Sequence, residues 1–440
     1  VSLISGKTVS LQTHGEESVE SLRVRAQKAL GAGKGRLLDS TGGVIDGGAP
    51  LKKARMQDAE ANAEPQRLTL QVRRVDICSG KCGGFAAILG DGSAVAWGNH
   101  DDGDDSIAVR DQLKNVQQIQ ATWGAFAAIL GDGSVVIWGE ADAGGDSSAV
   151  LHDLQNVQQI QATWGAFAAI LGDGSVVTWG EADAGGADAG GDSSAALHDL
   201  QNVQQIQATM GAFAEMLRDG SVVTWGLAFV GGDCSAVRDQ LKNVKQIQAT
   251  REAFAAILGD GSVVTWGEAH FGGDCSDVLD EPLNVQQIQA AVGAFAAILG
   301  DGSVVTWGHA FFGGDSSAVR DELQNAQQIQ ATERSFAAIL GNGSVVTWGD
   351  AGYGGDCCAV RDQLKNVQQI QATQRAFAAI LGDGSVVTWG DAGCGGDCCA
   401  VRDQLKNVQQ IQATWGAFAA MLGDGCVVTW GSGTGGDSSV

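Results

Sequence analysis

Nine tryptophans, each followed by glycine, divide most of this chain at an almost constant interval. They are Trp97, Trp138, Trp179, Trp225, Trp266, Trp307, Trp348, Trp389 and Trp430. Seven of the eight intervals are 41 residues, and the eighth is 46 because ADAGG is written twice over 182–191. A period of this length marks a repeat architecture, in which each unit buries its apolar face only against its neighbours. Repeat arrays mostly bind other molecules, so the period weighs against an enzyme.

Within one unit, Gly131-Asp132-Gly133 separates two β-rich runs, AFAAIL and SVVIWG. Asp-Gly predicts a two-residue type I′ hairpin, because glycine supplies positive φ without steric cost. The turn recurs at Asp91, Asp173, Asp219, Asp260, Asp301, Asn342, Asp383 and Asp424. Asn342 serves a turn as well as Asp does but carries no charge, which argues against a ring of calcium-binding carboxylates. In AFAAIL, Phe126, Ala128 and Leu130 share one face and Ala127 and Ile129 the other. A strand apolar on both faces belongs between two neighbours. SVVTWG puts its first Val and the Trp on opposite faces, so the period-keeping Trp is expected to be core packed on a neighbouring unit. NVQQIQAT reads as a third strand and SSAVRD as a fourth.

Four short strands in a unit of this length suggest a propeller blade. The pattern V-x-x-I-x-A-x-x-x-x-F-A-A-I-L-x-D-G-x-V-V-T-W-G resembles the repeat of the regulator of chromosome condensation family. The resemblance implies an all-β propeller over 75–440 with about nine lean blades; the family's units are longer and its rings usually have fewer. Both a closed ring and an open spiral fit. The ends favour closure, since the array starts inside a unit at Val75 and the final GGDSSV supplies the opening of another.

Residues 1–74 differ. VSLISGKTVSL alternates around Gly-Lys-Thr like a hairpin, and 18–30 places Val19, Leu22, Ala26 and Ala29 on one helical stripe, with Ser18 as N-cap and Gly31 as stop. RLLDSTGGVI and RLTLQVR read as further strands. This order resembles a small α+β ubiquitin-like β-grasp domain over all of 1–74, which implies docking to ubiquitin-pathway receptors. Arg73-Arg74 runs on into Val75, so the domain reads as a fixed module, and the ubiquitin docking patch matches Leu38, Thr69 and Gln71, two of them polar.

Charge narrows the partners. Residues 1–74 carry 12 Lys+Arg and 8 Asp+Glu; taken from totals of 27 and 51, these leave 15 and 43, a net charge of −28, on the array. Such a surface repels nucleic acid and anionic membranes and favours a protein partner, either basic or a small GTPase. No apolar run reaches the roughly 20 residues that span a bilayer. Cys234, Cys275, Cys357, Cys358, Cys398, Cys399 and Cys426 stand where sister units have Ser, and Cys394 stands where they have an aromatic. Free thiols in the cytoplasm or nucleus are expected, with no metal site at the CxxxC pairs Cys78/Cys82 and Cys394/Cys398.

Two positions vary against the near-constant background. One is the pair before AFAAIL, which includes Trp123, Trp164, Met210, Arg251, Glu333, Arg334, Arg375 and Trp415. The other precedes the Gly-Gly after each Trp-Gly, as in Ala143, Val230, Phe271, Phe312, Tyr353 and Cys394. Residues ranging from Trp to Arg to Glu are expected to face solvent and to form a partner-binding rim. Plant ultraviolet-B receptors share this repeat family, and their light-sensing tryptophans lie in Gly-Trp-Arg-His-Thr before the same strand. Trp123, Trp164 and Trp415 match the Trp, whereas Arg334 and Arg375 fill the Arg slot in units without it. The histidines are scattered, and no P-loop, dinucleotide fingerprint or HExxH occurs, so no catalytic residue and no cofactor is expected. The sequence therefore reads as an interaction scaffold linked to the ubiquitin pathway, with a guanine-nucleotide exchange factor and an ultraviolet-B sensor as alternatives.

Overall fold

The computed structural model describes residues 2–3, 9–11, 18–30, 36–38, 45, 68–71, 76–79, 85–89, 91–97, 109–181, 202–276, 278, 284–413, 415–423 and 426–431. In it, nine successive units, at 76–97, 116–139, 157–180, 203–226, 244–267, 285–308, 326–349, 367–390 and 408–431, each form an antiparallel sheet of three strands.

Unit 6 shows the logic. Its strands are Val285–Ala290, Ala294–Leu299 and Val304–Gly308, with the central one paired to both others. Along the central strand, Phe295, Ala297 and Leu299 pack on Ala253, Ala255 and Ile257 of unit 5. The alternate residues Ala294, Ala296 and Ile298 pack on Phe336, Ala338 and Leu340 of unit 7. The strand buried on both faces is thus observed, with alanine letting the sheets approach. Phe295 lies opposite Trp307 and stacks on it at 5.2 Å, and the Trp307 indole Nε1 donates to the Gly272 carbonyl of unit 5 at 3.1 Å. The same indole bond recurs from Trp179, Trp266, Trp348, Trp389 and Trp430. These tryptophans are core and also pin each unit to the loop of the one before. Gly272 has a φ of +96° beneath the Phe295 ring, where a Cβ would meet the ring at 2.6 Å.

Three expectations are corrected. The Asp-Gly turn is not type I′: among the described turns only the second glycine has positive φ, as in Gly133 at +81°. Leu130 N–H donates to the Ser134 carbonyl and Gly133 N–H to that of Leu130, a three-residue loop with a left-handed glycine. Asp132 Oδ1 instead accepts the Ser134 amide and hydroxyl at 3.0 and 2.6 Å, and Asn342 does the same for Ser344. SSAVRD is not a strand in the described units. Asp315 Oδ1 takes the Ser317 amide at 2.9 Å, which winds the segment into the 3-10 turn Ser317–Val319, and sister units bend likewise. Lastly, the described units do not close into a ring. They follow one another in an open array, and the C-terminal GGDSSV lies outside the described residues.

One turn device was not anticipated. Asn115, Asn156, Asn202, Asn243, Asn284, Asn325, Asn366 and Asn407 all have φ between +50° and +61°, just before each first strand. The carbonyls of Asn115, Asn156, Asn202, Asn325, Asn366 and Asn407 accept the hairpin amide of their own unit, as in Gly341 N–H to Asn325 at 2.8 Å. Asn325→Ala is expected to cost about 1–2 kcal/mol, because a Cβ-bearing residue without a side-chain amide resists this conformation. Asn325→Gly should be nearly neutral, and thermal melting of the two variants distinguishes them.

The described part of 1–74 is one helix, Val19–Leu30, on a three-stranded sheet. Residues 2–3 run parallel to 69–70, while 36–38 run antiparallel to 69–71. Val19 and Leu22 are buried against Leu37, Ala26 is buried as well, and Ser18 Oγ caps the Ser21 amide at 3.2 Å. Ala29, expected on the same stripe, is exposed. Arg23 reaches Asp91 of unit 1 at 3.9 Å. No helix among the described residues is long and apolar enough to cross a membrane.

Candidate interaction surface

At the end of the first strand in most described units, a threonine shapes the turn that presents the variable pair, and unit 6 has Ala291 in its place. Thr373 Oγ1 accepts the Ala376 amide at 3.0 Å and donates to the Cys394 carbonyl at 3.0 Å, tying the turn to the Gly-Gly loop of the same unit. Thr122, Thr209, Thr250 and Thr332 do the same. The residue that follows then bonds to its counterpart in the next unit. Trp123 N–H donates to the Trp164 carbonyl, Trp164 to Met210, Met210 to Arg251 and Arg251 to Val292, each at 2.8 Å. Val292 donates to Glu333, Glu333 to Gln374 and Gln374 to Trp415, at 2.9–3.1 Å. Eight units thus bring their most variable residue into a single column, stepped by one strand spacing of about 4.8 Å.

The solvent-facing expectation holds for part of this column. Trp164, Arg251 and Trp415 are exposed; Trp123, Met210, Glu333 and Gln374 are half-buried. Trp123 and Met210 lean on the cores beneath them. Arg251 lies over the Trp164 ring at 5.3 Å although the two are two units apart. Gln374 Nε2 donates to Glu333 Oε1 at 2.7 Å. Burial pushes the Glu333 carboxyl up, opposed by the charges of Arg334, Arg375 and Arg251.

Beside the column, in units 2, 6 and 7, the second residue of the pair meets the residue before Gly-Gly. In unit 6 that second residue is Gly293, where a Cβ would lie 2.5 Å from the Phe312 ring and 2.9 Å from Phe271. Glycine there makes room for the Phe271–Phe312 pair, whose centroids are 5.8 Å apart. Unit 7 has Arg334, whose guanidinium lies 4.4 Å from the Tyr353 ring, 4.5 Å from Phe311 and 5.8 Å from Phe312. Unit 8 has Arg375, 4.6 Å from the Tyr353 ring, with Nη2 donating to Tyr353 Oη at 2.7 Å. Asp350 and Asp391 flank the two arginines at 4.0 and 3.7 Å. His309 packs edge-on to both Phe311 and Phe312.

The fold therefore gathers Phe271, Phe312, Arg334, Tyr353 and Arg375 into one ridge across units 5–8, with Arg251 and Glu333 on the adjoining column. Tyr353 is buried beneath its arginines rather than solvent-facing. Trp123 and Trp415 stand at the two ends of the described column, in units that contribute no residue to the ridge. Phe311 and His309 were missed. Their signal was HAFF at 309–312, which carries two aromatics before Gly-Gly where most sister loops carry at most one. Leu38 lies opposite Thr69 and is half-buried, and Gln71 lies opposite Arg36. The side chains of Thr69 and Gln71, like Cys82 and Asp424, are outside the described residues.

No family model matches the chain, and no curated protein matches it. Among solved structures it is similar to Prp20p from Saccharomyces cerevisiae, described with its binding to Gsp1p and histones, at 18% identity over 56% of this chain and 74% of that one, TM-score 0.37. It is similar also to the CRINKLY WD40 ectodomain of the Arabidopsis thaliana receptor kinase ACR4, at 12% identity over 82% and 98%, TM-score 0.36. Human WBSCR16 matches at 13% identity over 86% and 93%, TM-score 0.35.

Proposed function

We propose that this chain is a protein-interaction scaffold whose acidic repeat array holds a partner on the Phe–Arg–Tyr ridge of units 5–8. The observation that carries the reading is convergence. The positions free to differ between near-identical units are those the turns bring into one column and its adjoining ridge. Phe311, half exposed at 50%, supplies the apolar anchor and the arginines supply directional donors, the composition expected of a binding hot spot. Residues 1–74 are read as a fixed ubiquitin-like docking module, supported by the parallel pairing of 2–3 with 69–70 under a single helix.

A photo-crosslinking residue placed at Phe311 in the full chain should trap a protein partner. Phe229 is the control, because it holds the same loop position in unit 4 and is 59% exposed. Phe311→Ala should then weaken capture of that partner by about tenfold or more, and Phe229→Ala by less than about twofold. Equal losses at both positions would remove the ridge from the account. If the trapped partner is a small GTPase, accelerated GDP release would turn the scaffold into an exchange factor.

One observation favours a second reading. Arg251 over Trp164 is a Trp–cation pair assembled from two units, the element that no single unit supplies for a light sensor. Ultraviolet-B exposure that leaves the oligomeric state of the full chain unchanged on size exclusion removes this alternative.

A further inference from the structure

Phe311, Phe312 and Tyr353 surround a cation, and that cation is the chain's own Arg334. All three rings lie within about 6 Å of the guanidinium, the range in which an aromatic face attracts positive charge. The Arg334 side chain retains 30% exposure, so the cluster opens to solvent. Around it stand Asp350 and the half-buried Glu333, with Asp391 and Arg375 on the next unit. Arg375 is already engaged by the Tyr353 hydroxyl and by Asp391.

The guanidinium is not required by the fold. The equivalent position is Gly124, Gly165, Gly211, Gly293 and Gly416 in five sister units, which build the same turn and strand without a side chain. Removing the Arg334 side chain leaves aromatic faces and carboxylates around an open space, on an array whose net charge is −28. Aromatic faces, flanking carboxylates and a negative field together select a cation.

We propose that Phe311, Phe312 and Tyr353 form a cation-accepting aromatic site for an arginine side chain of a basic partner, with Arg334 as an internal occupant that the partner displaces. This deepens the scaffold reading and rests on it, since it names the chemistry the ridge recognises. Arg334 then acts as a built-in competitor, so affinity is set by the difference between the incoming guanidinium and the resident one.

The probe is N-acetyl-arginine amide, titrated calorimetrically into the full chain, with the neutral isostere N-acetyl-citrulline amide and the anion N-acetyl-glutamate amide as comparisons. Arg334→Gly, which installs the sister-unit residue, should bind the arginine probe roughly threefold to tenfold more tightly than the wild type does. Adding Phe311→Ala to that variant should abolish the gain, and the citrulline probe should show none. The proposal is overturned if Arg334→Gly binds the arginine probe no better than wild type or binds citrulline equally well. Preferential binding of the glutamate probe also overturns it and points to an acidic partner instead. If Phe311 crosslinks a protein while the probe fails, the cation site falls and the scaffold stands. If the probe binds while no protein is trapped, the aromatic cation site remains, but its assignment to a protein partner's arginine falls with the scaffold.

Discussion

Glu215→Ala is expected to stabilise the chain at neutral pH by about 2 kcal/mol or more, because it removes a carboxyl that has nothing to bond. Glu215 lies in the central strand of unit 4, has no exposed surface, and neither of its oxygens finds a hydrogen-bond partner. Ile206 and Val223 are its cross-strand neighbours. Phe213, two residues earlier on the same face, packs on Ala166, Ala168, Ile170 and Val176 of unit 3. The sister strands carry Ala128, Ala169, Ala256, Ala297, Ala338, Ala379 and Ala420 at this position, all buried, so alanine fits the layer.

Desolvation holds the Glu215 carboxyl well above its ordinary range in the folded chain. The native state therefore binds more protons than the unfolded state between the ordinary carboxylate value and the raised one. Stability is complete below the ordinary value and falls as pH climbs toward the raised value. The advantage of Glu215→Ala should accordingly be larger at pH 8 than at pH 5.5. Urea denaturation at both values, kept above the isoelectric point near 4.4, measures it. Glu215→Gln should flatten the pH dependence while leaving a buried polar group behind. An alanine variant no more stable than wild type at pH 8 contradicts the argument.

The second large effect is a loss. Phe295→Ala should cost about 3–5 kcal/mol, the usual range for emptying a fully buried phenylalanine site. Phe295 is wholly buried, stacked on Trp307 and closed over by Gly272. Its place in the array adds a qualitative consequence. In a linear repeat array, stability is a sum of unit terms and nearest-neighbour interfaces. Weakening the contact between units 5 and 6 should divide one cooperative unfolding transition into two. Hydrogen exchange should show protection falling first at units 5 and 6; uniform loss across all nine units would count against an array held together by neighbours.

What could be read in the sequence is what repeats locally. The 41-residue period gave the nine units, AFAAIL gave the doubly buried strand, and the placement of Trp in SVVTWG predicted an inter-unit core. The Asp-Gly turn was legible in place but not in type, because Asp supplies an acceptor to Ser rather than a left-handed backbone. The fourth strand failed for a similar reason, since Asp315 and its sisters capture the amide a ladder would need. The left-handed Asn before VQQIQ was in plain view, but in this sequence Asn-Val gave no turn signal without a glycine beside it. The column was beyond reach altogether. It is made by backbone bonds between residues 41 or 46 apart, and such bonds leave no mark on side-chain pattern. Its consequence, Arg251 over Trp164, joins residues that no inspection of single units pairs.

The central claim is that the variable residues form one open column rather than a ring. Spin labels in place of the exposed Trp164 and Trp415 test it directly by pulsed dipolar spectroscopy. Six ladder steps of about 4.8 Å separate the two positions, so the account predicts a backbone separation of up to roughly 29 Å, and in any case beyond about 20 Å. A closed ring of nine units would bring Trp415 within three steps of Trp164, about 14 Å or less, and that distance would contradict the account.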